Sequence, residues 1–272
     1  MNKIKIAITK GNAEGVNFQS ILNTLEENPL TDSCQFVAYE DCEPGTYDAL
    51  LTLTAEETTT IAKDFGSIEG ATPYILYIGG KIKASVIGKS NDDITAENIE
   101  AKARIVHHAI KRDLLITNPR IAILAANNQP GQLEEEAIKP AIEKLFQSKI
   151  QCFGPYVAGK FFEEKYYEEF DVILAMNANQ VATKLYDSDS KPLILTLGLP
   201  FVHIAAPDIT EDDIASTLCM LIDMCRNRHS FDAAYSNPLP KLYHEQKEGE
   251  ERRPRFAPLD FIKKDKSQEE EN

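Results

Sequence analysis

Several things are scarce in this 272-residue chain, and each scarcity removes a class of protein. No stretch approaches the ~18 consecutive apolar residues that a membrane-spanning helix requires. The opening MNKIKIAITKG has neither the apolar segment nor the small-residue cleavage site of a secretion signal. Five scattered cysteines, Cys34, Cys42, Cys152, Cys219 and Cys225, form no CxxC pair, and their odd number argues against a disulfide framework and fits a reducing compartment. Basic charge is also short. The formal net charge of −14 repels phosphate backbones and anionic lipid, and the cluster Arg252, Arg253 and Arg255 lies among as many acids as bases. A cytoplasmic, soluble protein that binds neither nucleic acid nor membrane is the expectation. No nucleophile–histidine–acid arrangement falls on suitable loops, so hydrolase chemistry has no basis in the sequence.

What is present reads as an α/β protein. Hydrophobic residues make up 43% of the chain, enough for a large core. Short apolar runs rich in β-branched residues predict strands over 3–9, 34–39, 48–54, 73–79, 82–88, 120–126, 171–176 and 192–198. Helical spacing appears between them. Ile99, Ala103, Val106 and Ile110 form one stripe in 95–112, with Thr95 as N-cap. A second helix is predicted over 133–148, where Pro140 implies a kink or a late start, and a third over 211–226. Strands alternating with helices give a mostly parallel sheet. The last residues, with EQKEGEERRPR and KKDKSQEEEN around FAPLDFI, read as a charged, solvated tail over 245–272, in which Phe256, Leu259, Phe261 and Ile262 are the candidates for docking.

Three stretches go beyond fold class: PRIAILAANNQPGQLEEEAIKPAI (119–142), GPYVAGKFFEEKYYEEFDVILAMNANQ (154–180) and LTLGLPFVHIAAPD (195–208). In order and spacing they resemble the second half of the 4-hydroxythreonine-4-phosphate dehydrogenase family, the metal- and NAD-dependent enzymes of vitamin B6 biosynthesis. IAITKGNAEGVNFQSIL (6–22) is similar to the family's opening strand and loop, with Thr9, Gly11 and Gly15 kept. The likeness covers most of 1–244 and is strongest at Thr196-Leu197-Gly198-Leu199-Pro200. It implies two α/β/α lobes of the isocitrate/isopropylmalate dehydrogenase type, one over 1–70 with 207–244 and one over 71–206. It also implies a cleft between the lobes and a homodimer.

The resemblance further implies a divalent metal held by three histidines, and here those positions fall on Ser90, Gln129 and Ala178. A hydroxyl, an amide and a methyl cannot replace three imidazoles. The family's Tyr-His-Asp-Gln becomes Asn177-Ala178-Asn179-Gln180, and Asn-Pro-His-Ala-Gly-Glu becomes Asn127-Asn128-Gln129-Pro130-Gly131-Gln132. Loops bearing on substrate and cofactor are shortened in 53–74, before Leu133 and after Asp208. The expectation is a diverged member without metal, cofactor or dehydrogenase activity, acting on a phosphorylated small molecule or a protein partner by binding alone. The alternative is an active NAD-dependent enzyme that oxidises a phosphorylated hydroxy-amino acid.

Residues left as candidates for binding are Gly11, Asn12, Asn127, Lys184, Asn179, Gln180, His203 and Asp208. Lys184 lies near a family lysine, with a surface side chain on a loop as the simpler reading. His203 falls where the family has an arginine for phosphate, yet it follows an apolar run and reads also as packed. Asp208 matches a family aspartate, with a helix N-cap as its simpler role. Lys10 to Gly15 and Thr58-Thr59-Thr60 could offer backbone N–H groups to an anion. His107 and His108 are adjacent, point to different helix faces and make a poor metal pair.

Overall fold

A computed structural model describes residues 3–12, 15–25, 30–43, 45–129, 131–186 and 191–236, and the tail read over 245–272 lies outside them. Among the described residues one sheet contains β1 (Ile4–Ile8), β2 (Cys34–Ala38), β3 (Ala49–Thr52), β4 (Tyr74–Gly79), β5 (Ile82–Val86), β6 (Arg120–Leu124), β7 (Gln151–Tyr156), β8 (Val172–Ala175), β9 (Leu193–Leu197) and β10 (Val202–Ala205). Their order across the sheet is β2-β1-β3-β10-β9-β4-β5-β8-β6-β7. The blocks β2-β1-β3-β10 and β5-β8-β6-β7 are each parallel. The steps β10–β9, β9–β4 and β4–β5 between them are antiparallel.

Three reversals leave the two blocks running in opposite directions. The C-terminal ends of β1, β3 and β10 therefore share a sheet edge with the N-terminal ends of β5, β8 and β6. The ranges read as lobes are joined by this one sheet, and β10, from the range 71–206, pairs with β3 from the range 1–70.

Strands β3, β8 and β10 are buried along their whole length, as apolar runs covered on both faces should be. Two strands are absent from the expected set. Edge strand β7 reads Gln-Cys-Phe-Gly-Pro-Tyr, with Gln151 and Phe153 exposed, a composition that only an edge tolerates. β10 is four residues long and follows Pro200 closely, which hides its pattern.

The helices are α1 (Phe18–Leu25), α2 (Leu30–Ser33), α3 (Ala55–Phe65), α4 (Ala96–Asp113), α5 (Lys139–Gln147), α6 (Ala158–Glu163), α7 (Ala182–Tyr186) and α8 (Ile214–Ser236). In α4 the stripe Ile99, Ala103, Val106 and Ile110 is buried, and Thr95 Oγ1 accepts from Asn98 N at 3.2 Å. Before α5 the chain winds as a π-turn over Glu134–Ile138, with Lys139 N donating to Glu134 O. That wider turn accommodates Pro140, which lacks an N–H and crowds the preceding turn. α8 runs well past 226 because Arg228 is drawn into the core, where it meets Asp113 of α4 through two bonds of 2.9 and 2.8 Å.

Helices lie on both faces of the sheet. The largest apolar cluster joins it to α1, α4, α5 and α8. A second packs α6 and α7 around Phe161, Val181 and Leu185, and a third packs α3 through Ile61 and Phe65 against Leu50 and Phe201. Among the described residues, no helix is long and apolar enough to cross a membrane.

Candidate functional site

In open α/β sheets the loops past the C-terminal ends of parallel strands carry the chemistry. β5, β8 and β6 are parallel neighbours, so the sheet brings Ser90, Ala178 and Gln129 to one edge. All three are exposed. Ser90 Oγ lies 3.4 Å from Asp93 Oδ2, within a capping box that starts the short helical turn Asn91–Asp93. Among the described residues, no group of three or more His, Cys, Asp or Glu side chains is placed to hold a metal. A divalent cation bound through imidazole does not fit this donor set.

The same edge is closed by its own side chains. After β5, Asp93 Oδ2 accepts from Lys89 N at 2.7 Å and Ser90 N at 3.0 Å. Those two backbone donors hold the Asp93 carboxyl below its usual pKa. After β6, the buried Glu134 accepts from Asn127 N at 3.0 Å and Gly131 N at 2.8 Å. Burial pushes its pKa up, but backbone donors led by Asn127 outweigh burial and leave it lowered. After β8, Gln180 Oε1 accepts from Met176 N at 2.8 Å and its Nε2 donates to Ala125 O at 2.6 Å, tying this loop to the one after β6. A pyrophosphate is held by free backbone N–H groups, and here those of residues 89, 90, 127, 131 and 176 are engaged. Those five donors are not available to a dinucleotide without breaking the bonds they make.

Side chains of Asn127 and Asn179 are exposed beside these closed loops. Lys184 sits half-buried in α7, its backbone N–H bonded to Val181 O at 3.1 Å. Lys102 of α4 donates to Ile87 O and stands 4.9 Å from the Tyr74 ring, and burial lowers its pKa.

Gly11, Asn12 and Asp208 lie at the opposite edge, past β1 and β10. Gly11 has φ +75°, and a Cβ there would meet Val16 O at 2.6 Å, so the turn demands glycine. Its N–H does not await an anion. Glu57 of α3 accepts from Gly11 N at 2.9 Å, Thr9 Oγ1 at 2.8 Å and Thr54 Oγ1 at 3.0 Å. The anion reading of Thr58-Thr59-Thr60 also gives way: the run lies inside α3, where Thr58 and Thr59 donate to Thr54 O and Ala55 O, each at 2.7 Å. Asp208 is exposed and lines a small pocket of about 170 Å³ with Lys191 and Thr217. It is not the N-cap. That place belongs to Thr210, whose Oγ1 lies 2.6 Å from Asp213 Oδ2.

His203 is a core side chain. It is 1% exposed, with Nδ1 2.8 Å from Thr196 Oγ1, Nε2 3.2 Å from Thr52 Oγ1, and the Phe65 ring edge-on at 4.9 Å. Burial lowers its pKa to about 3, so it is neutral at physiological pH and has no charge for a phosphate. His107 is half-buried, and burial also lowers its pKa, while His108 is exposed against Phe231.

Asp93, Glu134 and Glu57 were not among the sequence candidates. Two signals could have found part of this set. Ser90-x-x-Asp93 and Asn177-x-x-Gln180 have the spacing of a capping box, and Thr54-x-x-Glu57 precedes an apolar helix face.

Comparison with known proteins bears on the same stretch of chain. Residues 86–221 match the family described as pyridoxal phosphate biosynthetic protein PdxA. A 4-hydroxythreonine-4-phosphate dehydrogenase of Bacteroides thetaiotaomicron is 32% identical over 247 residues, 78% of this chain and 68% of that protein. The protein of the same description from Neisseria meningitidis is 36% identical over 131 residues, 46% of this chain and 40% of its own. The crystal structure of 4-hydroxythreonine-4-phosphate dehydrogenase from Klebsiella pneumoniae superposes with a TM-score of 0.61 at 15% identity, covering 82% of this chain and 100% of that one, a likeness of fold.

Proposed function

This chain belongs to the 4-hydroxythreonine-4-phosphate dehydrogenase family, and on that premise we propose that it is a diverged member, one that binds a small molecule or a protein partner without oxidising it. One observation carries the reading. At the edge where β5, β8 and β6 end, the three altered positions supply no imidazole, and Asp93, Glu134 and Gln180 take up backbone donors of those loops. In this reading the protein is a cytoplasmic homodimer. A phosphorylated ligand would take its cation from Lys184 on α7.

Metal content gives the test. The protein is equilibrated with zinc, manganese or magnesium, dialysed against metal-free buffer and assayed for bound ion. Far less than one ion per chain is expected, and a stoichiometric ion would overturn the reading.

The second reading, NAD-dependent oxidation of a phosphorylated hydroxy-amino acid, is favoured by the 32% identity to a relative described as such a dehydrogenase. It requires metal ligands from outside the three family positions. Fold alone does not choose between the two, because function lives in the site.

A further inference from the structure

An open pocket of about 440 Å³ lies along α4 and shares no residue with the loops that follow β5, β6 and β8. Arg104, His108 and Arg112 line it at i, i+4 and i+8, on one face of the helix and roughly 6 Å apart along its axis. Opposite them is the turn Gly198-Leu199-Pro200 between β9 and β10. That turn is fixed. Gly198 has φ +74°, a Cβ there would run into the Thr72 carbonyl, and Leu199 O accepts from Arg228 Nη1 at 3.2 Å. Ile105, Ala109, Leu199 and Pro200 add apolar surface to the lining.

The lining carries three arginines, Arg104, Arg112 and Arg228, against two acids. Of its two acids, Asp113 is taken by the buried Arg228, and Glu69 is exposed at the rim. Arg104 holds Glu100 at 2.7 Å and Ser148 at 2.7 Å. Arg112 uses Nη2 on Asp232 at 3.0 Å, whose side chain is 54% exposed, while Arg112 Nε is enclosed with no acceptor among the described residues. An enclosed donor without a partner marks a missing acceptor, and native proteins contain few of them. The volume is within the range of small-molecule sites.

We propose that this pocket binds a small organic anion, with a phosphate or carboxylate head on Arg112 and His108, steered by Arg104, and an apolar body against Leu199 and Pro200. The site stands whether or not the chain oxidises a substrate.

Calorimetric titration of the full chain with phenyl phosphate, and separately with benzoate, tests it. Saturable binding of either probe is expected, and the tighter one identifies the head group. Arg112→Gln should weaken binding roughly tenfold or more, as loss of a charged hydrogen bond does. His108→Gln, at an exposed position, should weaken it several-fold without touching the fold. Lys160→Gln, at an exposed position of α6 outside the pocket, should leave it unchanged, which separates this pocket from a general loss of positive charge. Absence of saturable binding, equal affinity in all three variants, or loss confined to Lys160→Gln would each overturn the proposal. Turnover by the wild-type protein would contradict the proposed function and leave this site intact.

Discussion

The edge formed by the ends of β5, β8 and β6 and the pocket along α4 both face solvent, yet they differ in what they leave unused. At the strand ends five backbone donors already have internal acceptors: Asp93 takes two, Glu134 two, and Gln180 braces Met176 against Ala125. Along α4, Arg104 is tied to Glu100 and Ser148 and Arg112 to the half-exposed Asp232, and among the described residues Arg112 Nε has no acceptor. Exposure is therefore a poor guide to availability. An exposed donor that already has an internal acceptor gains little from a ligand, whereas an enclosed donor lacking one gains a full hydrogen bond once an acceptor reaches it.

The largest expected effect breaks the pocket side of this comparison. Asp113→Ala leaves Arg228 buried without its carboxylate, and stability measured by urea unfolding should fall by about 3–5 kcal/mol. On the other side, Glu134→Ala strips the acceptor from Asn127 N and Gly131 N, and should cost about 2 kcal/mol. Hydrogen exchange at those two amides should then accelerate, while exchange in α4 stays as in the parent.

Acid sharpens the contrast between core and edge. His203 has a folded-state pKa of about 3 against 6.5 for the free side chain, so between those values the unfolded chain carries the extra proton. Stability should consequently rise with pH across that window, by at most about 1.4 kcal/mol per unit, and level off above it. His203→Gln should flatten that part of the profile. Smallest of all, Ser90→Ala removes one capping partner at an exposed turn, for a loss of about 0.5–1 kcal/mol in thermal unfolding. An imidazole-replacing serine that still held an ion would instead lose metal on this change.

The sequence carries much of the frame. Thr95 as N-cap, the buried stripe of α4 and eight of the strands follow from period and capping chemistry, which are local. β7 and β10 do not, because one is an edge strand with Gly-Pro inside it and the other is four residues long. The position of Pro140 signals a disturbance, but its form, a π-turn, depends on how α5 packs.

The site is less legible. That Ser90, Gln129 and Ala178 share an edge follows from the strand order, whereas Gly11, Asn12 and Asp208 fall at the other edge because three antiparallel steps reverse the sheet. No local pattern reports that reversal. Glu57 reaching Gly11 spans two elements, and only the fold brings them together. His203 shows the same limit: its surroundings, Thr52, Thr196 and Phe65, come from three separate parts of the chain.

The central claim is that the strand-end loops no longer support oxidation. The most direct test supplies the purified full chain with saturating divalent metal, NAD and 4-hydroxythreonine 4-phosphate and follows absorbance of NADH. A trace indistinguishable from the protein-free control is the predicted result; sustained NADH formation that scales with protein concentration would contradict the account.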